Sequence, residues 1–130
     1  MAISYLMDFR EFKLLALSCG ISRIPEWLKE VSLADQKEIW SSLQKKSYVV
    51  FVDGDDVVVD RTINYMFQQA SKAESIESAQ KSVAYCAQNL CLEVRLDERA
   101  KERVRVTPYR DKNEWLSALA EESEVSEDDK

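Results

Sequence analysis

The chain has 130 residues, a formal net charge of -6 and 45% hydrophobic residues, which predicts one ordered domain with a packed core. It contains no histidine, so the commonest general base and metal ligand is absent. No stretch reaches the roughly 18 consecutive apolar residues that a membrane-spanning helix needs.

The negative charge is concentrated at the end of the chain. Residues 121–130 contain six acids and one lysine, which leaves residues 1–120 with 17 basic and 18 acidic residues. We interpret 121–130 as a disordered acidic tail. The three cysteines, Cys19, Cys86 and Cys91, are odd in number, and the N-terminus has no secretory pattern. These features predict a reducing, cytoplasmic location.

The first predicted elements are a short strand over 3–7 and a helix over 8–18. Asp8 and Glu11 have the spacing of a capping box, and Gly20 suits the position just after a helix end. Apolar residues recur at helical spacing along the segment, namely Phe9, Phe12, Leu15, Ala16 and Cys19.

Two further helices and a hairpin follow. A short helix starts near Pro25, a favoured first helical residue, and a third helix covers about 32–46. The segments 47–52 and 56–60 are rich in valine and flank an Asp-Gly pair at 53–54. This combination is a strong hairpin signal.

A long helix is predicted next, capped by Asp60 or Thr62. Its apolar stripe consists of Ile63, Met66, Phe67, Ala70, Ala73 and Ile76. The order helix, helix, helix, hairpin, helix over 8–78 is typical of a winged-helix unit. We therefore expect a winged-helix-like unit in this part of the chain.

The last third predicts an antiparallel β-meander and a closing helix. With Gln88-Asn89 as a two-residue turn, Cys86 lies opposite Cys91. One face is then apolar and the other is mixed, carrying Cys86, Cys91, Glu93 and Arg95. A third strand covers 103–107, and a helix over about 111–121 buries Trp115, Leu116 and Leu119. The predicted fold class is α+β, with a single domain over 1–120 that joins the unit at 8–78 to a meander plus helix at 82–120.

The mixed face of the meander supplies the candidate partner-binding residues. They are Arg95, Arg103, Arg105, Arg110 and Glu93. We interpret them as a docking patch for an acidic protein partner, with a merely solvated charged face as the alternative.

Other functions find little support in the sequence. The exposed face of the third helix is poor in cations and the hairpin tip is acidic, which disfavours binding to DNA phosphates. No catalytic constellation, cofactor motif or metal-ligand set is present, so we do not expect an enzyme. Cys86 and Cys91 could form a disulfide by position, but a reducing compartment favours two thiols.

The element order resembles one known family. It runs from a strand ISYLM into the helix EFKLLALSCG, then through IPEWL, WSSLQKKSYV, a hairpin, a long helix and VRVTPY. This resembles the substrate chaperones of Gram-positive type VII secretion systems, the EspG- and EsaE-like group. The resemblance implies a cytosolic, non-catalytic protein that binds a helical secretion substrate.

Three functional hypotheses follow. The first is a non-enzymatic protein-binding adaptor or secretion-substrate chaperone. The second is a winged-helix transcription regulator that binds DNA, and the third is a phage or mobile-element accessory protein. The sequence leaves homo-oligomerisation open.

Overall fold

The computed structural model describes residues 3–53, 56–79, 81–97 and 99–128, with side chains as far as 121. The elements, in chain order, are β1 (Tyr5–Asp8), α1 (Phe9–Ser18), a 3-10 helix (Glu26–Leu28), α2 (Gln36–Lys45), β2 (Val49–Val52), β3 (Asp56–Val59), α3 (Arg61–Ser71), β4 (Ser75–Ser78), β5 (Ser82–Cys86), β6 (Cys91–Leu96), β7 (Arg103–Tyr109) and α4 (Lys112–Asp128). Five strands form an antiparallel sheet in the order β1-β7-β6-β5-β4, and β2 and β3 form a separate hairpin.

Local signals fix both ends of α1. The Glu11 N–H donates to the Asp8 carboxylate at 2.7 Å, and the Asp8 N–H donates to the Glu11 carboxylate at 2.8 Å. This is the predicted capping box. After the helix, Gly20 has a φ of 98°, and the Ile21 N–H donates to the Ala16 carbonyl at 2.9 Å. This pattern is a Schellman motif, so the predicted role of Gly20 is confirmed.

The main core lies between one face of the large sheet, here the inner face, and helices α1, α2 and α3. Helical spacing places Ile63, Met66, Phe67 and Ala70 on the buried side of α3. The rings of Phe12 and Phe67 meet with centroids 5.6 Å apart. The hairpin adds Val49, Val57 and Val59 to this core.

A smaller cluster lies on the opposite, outer face of the sheet, where α4 packs. It contains Ala84, Cys86, Cys91 and Trp115, with Tyr109 and Leu119 partly buried against it. Because side chains alternate along a strand, β5 and β6 are buried on both faces where α4 covers them.

The winged-helix unit predicted over 8–78 is not confirmed. The short helix expected near Pro25 is a 3-10 helix, and the third helix begins at Gln36 rather than at 32. The long helix ends at Ser71, and Ile76 lies instead in β4, where it pairs with Tyr85. Pairing with β5 has overridden the helical periodicity of that segment, as tertiary contacts commonly do. At the coarser level, the α+β class is confirmed.

The C-terminal elements also differ in extent from the prediction. Strand β7 continues to Tyr109, and α4 runs to Asp128, where the sequence predicted an acidic tail from 121 onwards. Glutamate is a good helix former, which fits this continuation. Leu116, predicted to be buried, is 44% exposed because Trp115 and Leu119 are the residues that face the sheet.

Candidate protein-binding surface

The register of the meander places the predicted residues on the outer face. Arg95 lies opposite Arg105, Glu93 opposite Thr107, and Arg105 also lies opposite Leu6 of β1. Arg103 lies opposite Asp8 at the end of the sheet where β7 begins. Three of the four predicted arginines therefore share one region of one face.

Glu93 is buried beneath α4 and does not contribute to the surface, which corrects its assignment as a contact residue. One carboxylate oxygen accepts the Trp115 indole N–H at 2.8 Å. The Arg95 guanidinium donates to both oxygens, at 3.3 and 3.1 Å. Glu93 thus connects helix α4 to Arg95 through charge-assisted hydrogen bonds.

We define the arginine patch as Leu6, Arg95, Arg103 and Arg105. Within the described residues, no ion pair involves Arg103 or Arg105, whereas Arg95 is held by Glu93. Like charges directly opposite each other across two strands destabilise a sheet. Arg105 faces Arg95 on one side and Leu6 on the other, so the positive charge that an acidic ligand would neutralise is that of Arg105.

Arg110 is separate from the arginine patch. It follows the end of β7 and is five positions beyond Arg105, which is roughly 16 Å along an extended strand. Its side chain is 89% exposed and pairs with Glu114 at 2.9 Å. Hydrogen bonds from Arg110 lower the pKa of Glu114. The proximity predicted for Arg110 and the other arginines is therefore wrong.

The outer edge of β1 is partly occupied. The Tyr48 hydroxyl donates to the Leu6 carbonyl at 3.2 Å, and the rings of Tyr48 and Tyr5 meet edge-to-face at 5.8 Å. A strand added to this edge would have to displace the hydroxyl. The face of the sheet is consequently a better docking site than this edge.

The cysteine pair follows the predicted register. The Ala87 N–H donates to the Leu90 carbonyl at 2.8 Å across the two-residue turn, and Cys86 pairs with Cys91. Their sulfur atoms are 3.0 Å apart, and both thiols are free. No group of three or more potential metal ligands occurs among the described residues.

The helix and hairpin that suggested a DNA-binding unit have unsuitable charge. The predicted exposed set on and beside α2 is exposed in the structure, namely Asp35, Gln36, Lys37, Ser41, Gln44 and Lys45. Asp53 and Asp56 at the hairpin tip are exposed, and residues 54–55 lie outside the described part of the chain. Two exposed carboxylates here oppose contact with phosphate.

A groove near the start of α1 was not predicted. It has a volume of about 590 Å³ and an aromatic wall made by Phe9 and Trp27, whose centroids are 5.5 Å apart. Its charged lining residues are Asp8, Arg10, Glu30, Lys101 and Glu102. Both signs of charge are present, so the lining selects no single class of ligand. No local sequence pattern predicts this groove, because it joins three segments that are far apart in the chain.

No protein-family model, curated protein or solved structure matches this chain. No helix within the described residues is long and apolar enough to cross a membrane.

Proposed function

We propose that this protein is a non-enzymatic, protein-binding adaptor or chaperone whose acidic partner docks on the arginine patch. The observation that carries the proposal is that Arg103 and Arg105 lie on the same face of β7 and that neither forms an ion pair within the described residues. The neighbouring carboxylate, Glu93, is buried and already bonded to Trp115 and Arg95. It is therefore poorly placed to neutralise Arg105 as well.

The patch combines charge with apolar surface. Leu6 is 37% exposed beside Arg105, and Arg103 is exposed at the same end of the face. An apolar contact surrounded by arginines is a common composition for a protein interface. Arginine also binds carboxylates through two parallel hydrogen bonds, which favours a partner segment rich in aspartate or glutamate.

The proposal also covers the arrangement of the helices and hairpin, the location of the protein and the kind of partner. A winged-helix-like arrangement of α1, α2, the β2–β3 hairpin and α3, a cytoplasmic location and a helical secretion substrate would fit a chaperone of the type VII class. In this proposal, an acidic helix of the partner lies across the outer face of the sheet at the arginine patch. The support for this is the charge and apolar exposure of the patch.

The test compares partner capture by matched charge-reversal variants. The wild-type chain and Arg110→Glu are expected to recover the same partner from extracts of the native organism. Arg103→Glu/Arg105→Glu is expected to lose it, because only these substitutions alter the patch. Equal thermal melting of all variants would show that the loss is not due to unfolding. Undiminished capture by the double variant would contradict the proposal.

A nucleic-acid partner is distinguished by a second measurement. Random duplex DNA should show no binding at low salt if the partner is a protein. Binding that weakens steeply as salt rises would instead indicate phosphate neutralisation by the arginines. That result would favour the transcription-regulator hypothesis over the adaptor hypothesis.

A further inference from the structure

The two cysteines at the end of the β5–β6 hairpin have the geometry of a disulfide precursor. The Ala87–Leu90 hydrogen bond closes the turn, so the next pair, Cys86–Cys91, is a non-hydrogen-bonded pair. Cα atoms in such pairs lie about 4.5 Å apart, which is within the range that disulfides span. Shortening the 3.0 Å sulfur–sulfur separation by about 1 Å would complete the bond.

Helix α4 shields this pair. Trp115 belongs to the same buried cluster as both cysteines, of which Cys86 is 6% exposed and Cys91 is fully buried. Burial, together with the contact to Cys86, raises the pKa of the Cys91 thiol. A thiol in these surroundings reacts slowly while the helix is docked.

We propose that Cys86 and Cys91 are a redox modification site, which a small-molecule disulfide oxidises to a cross-strand disulfide when α4 opens locally. The Cys86 thiolate attacks one sulfur of oxidised glutathione, forming a mixed disulfide and releasing one glutathione thiolate. Cys91 then attacks the Cys86 sulfur and releases the second glutathione, and the two thiol protons pass to the two leaving thiolates. Two cysteine thiols are thereby oxidised while one oxidised glutathione is reduced.

Cys86 is the expected first attacker because it is the more exposed of the two residues. Cys91 is then within 3.0 Å of the mixed disulfide without any movement of the strands. Cys19 is a free thiol buried in the main core, where its sulfur lies 3.8 Å from the side-chain oxygen of Asn64. It serves as an internal control for the state of the rest of the fold.

The first experiment treats the full chain with oxidised glutathione, alkylates it in denaturant and digests it with trypsin. No lysine or arginine occurs between 82 and 94, so both cysteines lie in the peptide 82–95, and Cys19 lies in 14–23. The expected product is peptide 82–95 lighter by two hydrogen atoms and free of alkyl groups. Full alkylation of that peptide, or mixed disulfides that persist in it, would overturn the proposal.

The second experiment tests the role of α4 by comparing the wild type with Trp115→Ala and Trp115→Phe. In Trp115→Ala, the cysteines of peptide 82–95 are expected to become oxidised at least about tenfold faster, while Cys19 is alkylated at an unchanged rate under native conditions. Trp115→Phe keeps an aromatic ring and should show a smaller increase. Equal rates in all three proteins, or a parallel acceleration at Cys19, would overturn local opening of α4 as the route of access.

Discussion

Glu11 is fully buried at the junction of α1 and α2, and its carboxylate is bonded on several sides. It accepts hydrogen bonds from the Ser42 hydroxyl at 2.6 Å, the Lys46 ammonium at 2.5 Å and the Asp8 N–H at 2.8 Å. The side chain therefore caps one helix and attaches it to the next. The sequence indicated only the cap.

Substitution of Glu11 by glutamine should lower the free energy of unfolding by about 1–3 kcal/mol, because a buried charge-assisted hydrogen bond loses its charge. The matched control is Glu30→Gln, since Glu30 is exposed. It should change stability by less than about 0.5 kcal/mol. Urea unfolding at neutral pH measures both, and equal effects would contradict a special role for Glu11.

The pKa of the Glu11 carboxylate predicts part of the loss of folding stability in acid. Burial raises the pKa of Glu11, but hydrogen bonds from Lys46, Ser42 and the Asp8 N–H hold it below its ordinary value of 4.5. Between the folded-state and the unfolded-state pKa, the Glu11 carboxylate therefore stays charged in the folded protein and is protonated in the unfolded protein. The stabilisation is complete above pH 4.5 and is lost as the pH falls through the lower, folded-state pKa. The stability gap between wild type and Glu11→Gln should therefore shrink in acid, and a constant gap would refute this.

At the scale of an element, the end of α1 depends on the left-handed conformation of Gly20. A Cβ at this position would meet only Ser71 at 3.6 Å, an ordinary contact, so the cost of a side chain is conformational. Gly20→Ala should destabilise the protein by about 1–2 kcal/mol. Gly20→Asn should cost less, because asparagine tolerates this conformation. Chemical unfolding compares the two, and equal losses would point to packing instead.

At the scale of the whole molecule, the sheet separates two apolar clusters of unequal size. The main core joins α1, α2 and α3 to the inner face, whereas the outer cluster depends on Trp115 of α4. Glu93 connects the outer cluster to the arginine patch. Loss of α4 packing should therefore destabilise only α4 and its surroundings, whereas loss of packing in the main core should destabilise the whole fold.

Hydrogen exchange can measure this difference. Trp115→Ala should speed exchange of amides in α4 while the β6–β7 amides stay protected. Phe67→Ala removes a ring from the main core, should cost about 3–5 kcal/mol, and should lower protection throughout the sheet. Uniform loss of protection in Trp115→Ala would mean that the two clusters unfold together.

Several features were predictable because their signals are local. Each depends on residues that are close together in the chain. These features are the capping box at Asp8, the helix end at Gly20, the β2–β3 hairpin and the register that opposes Cys86 and Cys91. Strand β4 was missed because its helix-like periodicity at Ile76 gave way to pairing with β5. The burial of Glu93 was missed because it depends on where α4 packs.

The sequence by itself determined the class of the fold and the alternation that places Arg95, Arg103 and Arg105 on one face. It also determined the charge of α2 and of the hairpin tip, which disfavours binding to DNA phosphates. Chain-local periodicity and capping are sufficient for these. Only the tertiary structure decided that Glu93 and the cysteines are buried beneath α4, whereas Arg103 is exposed and Arg95 and Arg105 are partly exposed. It also separated Arg110 from the other arginines. These outcomes depend on contacts between segments far apart in sequence, which no local pattern encodes.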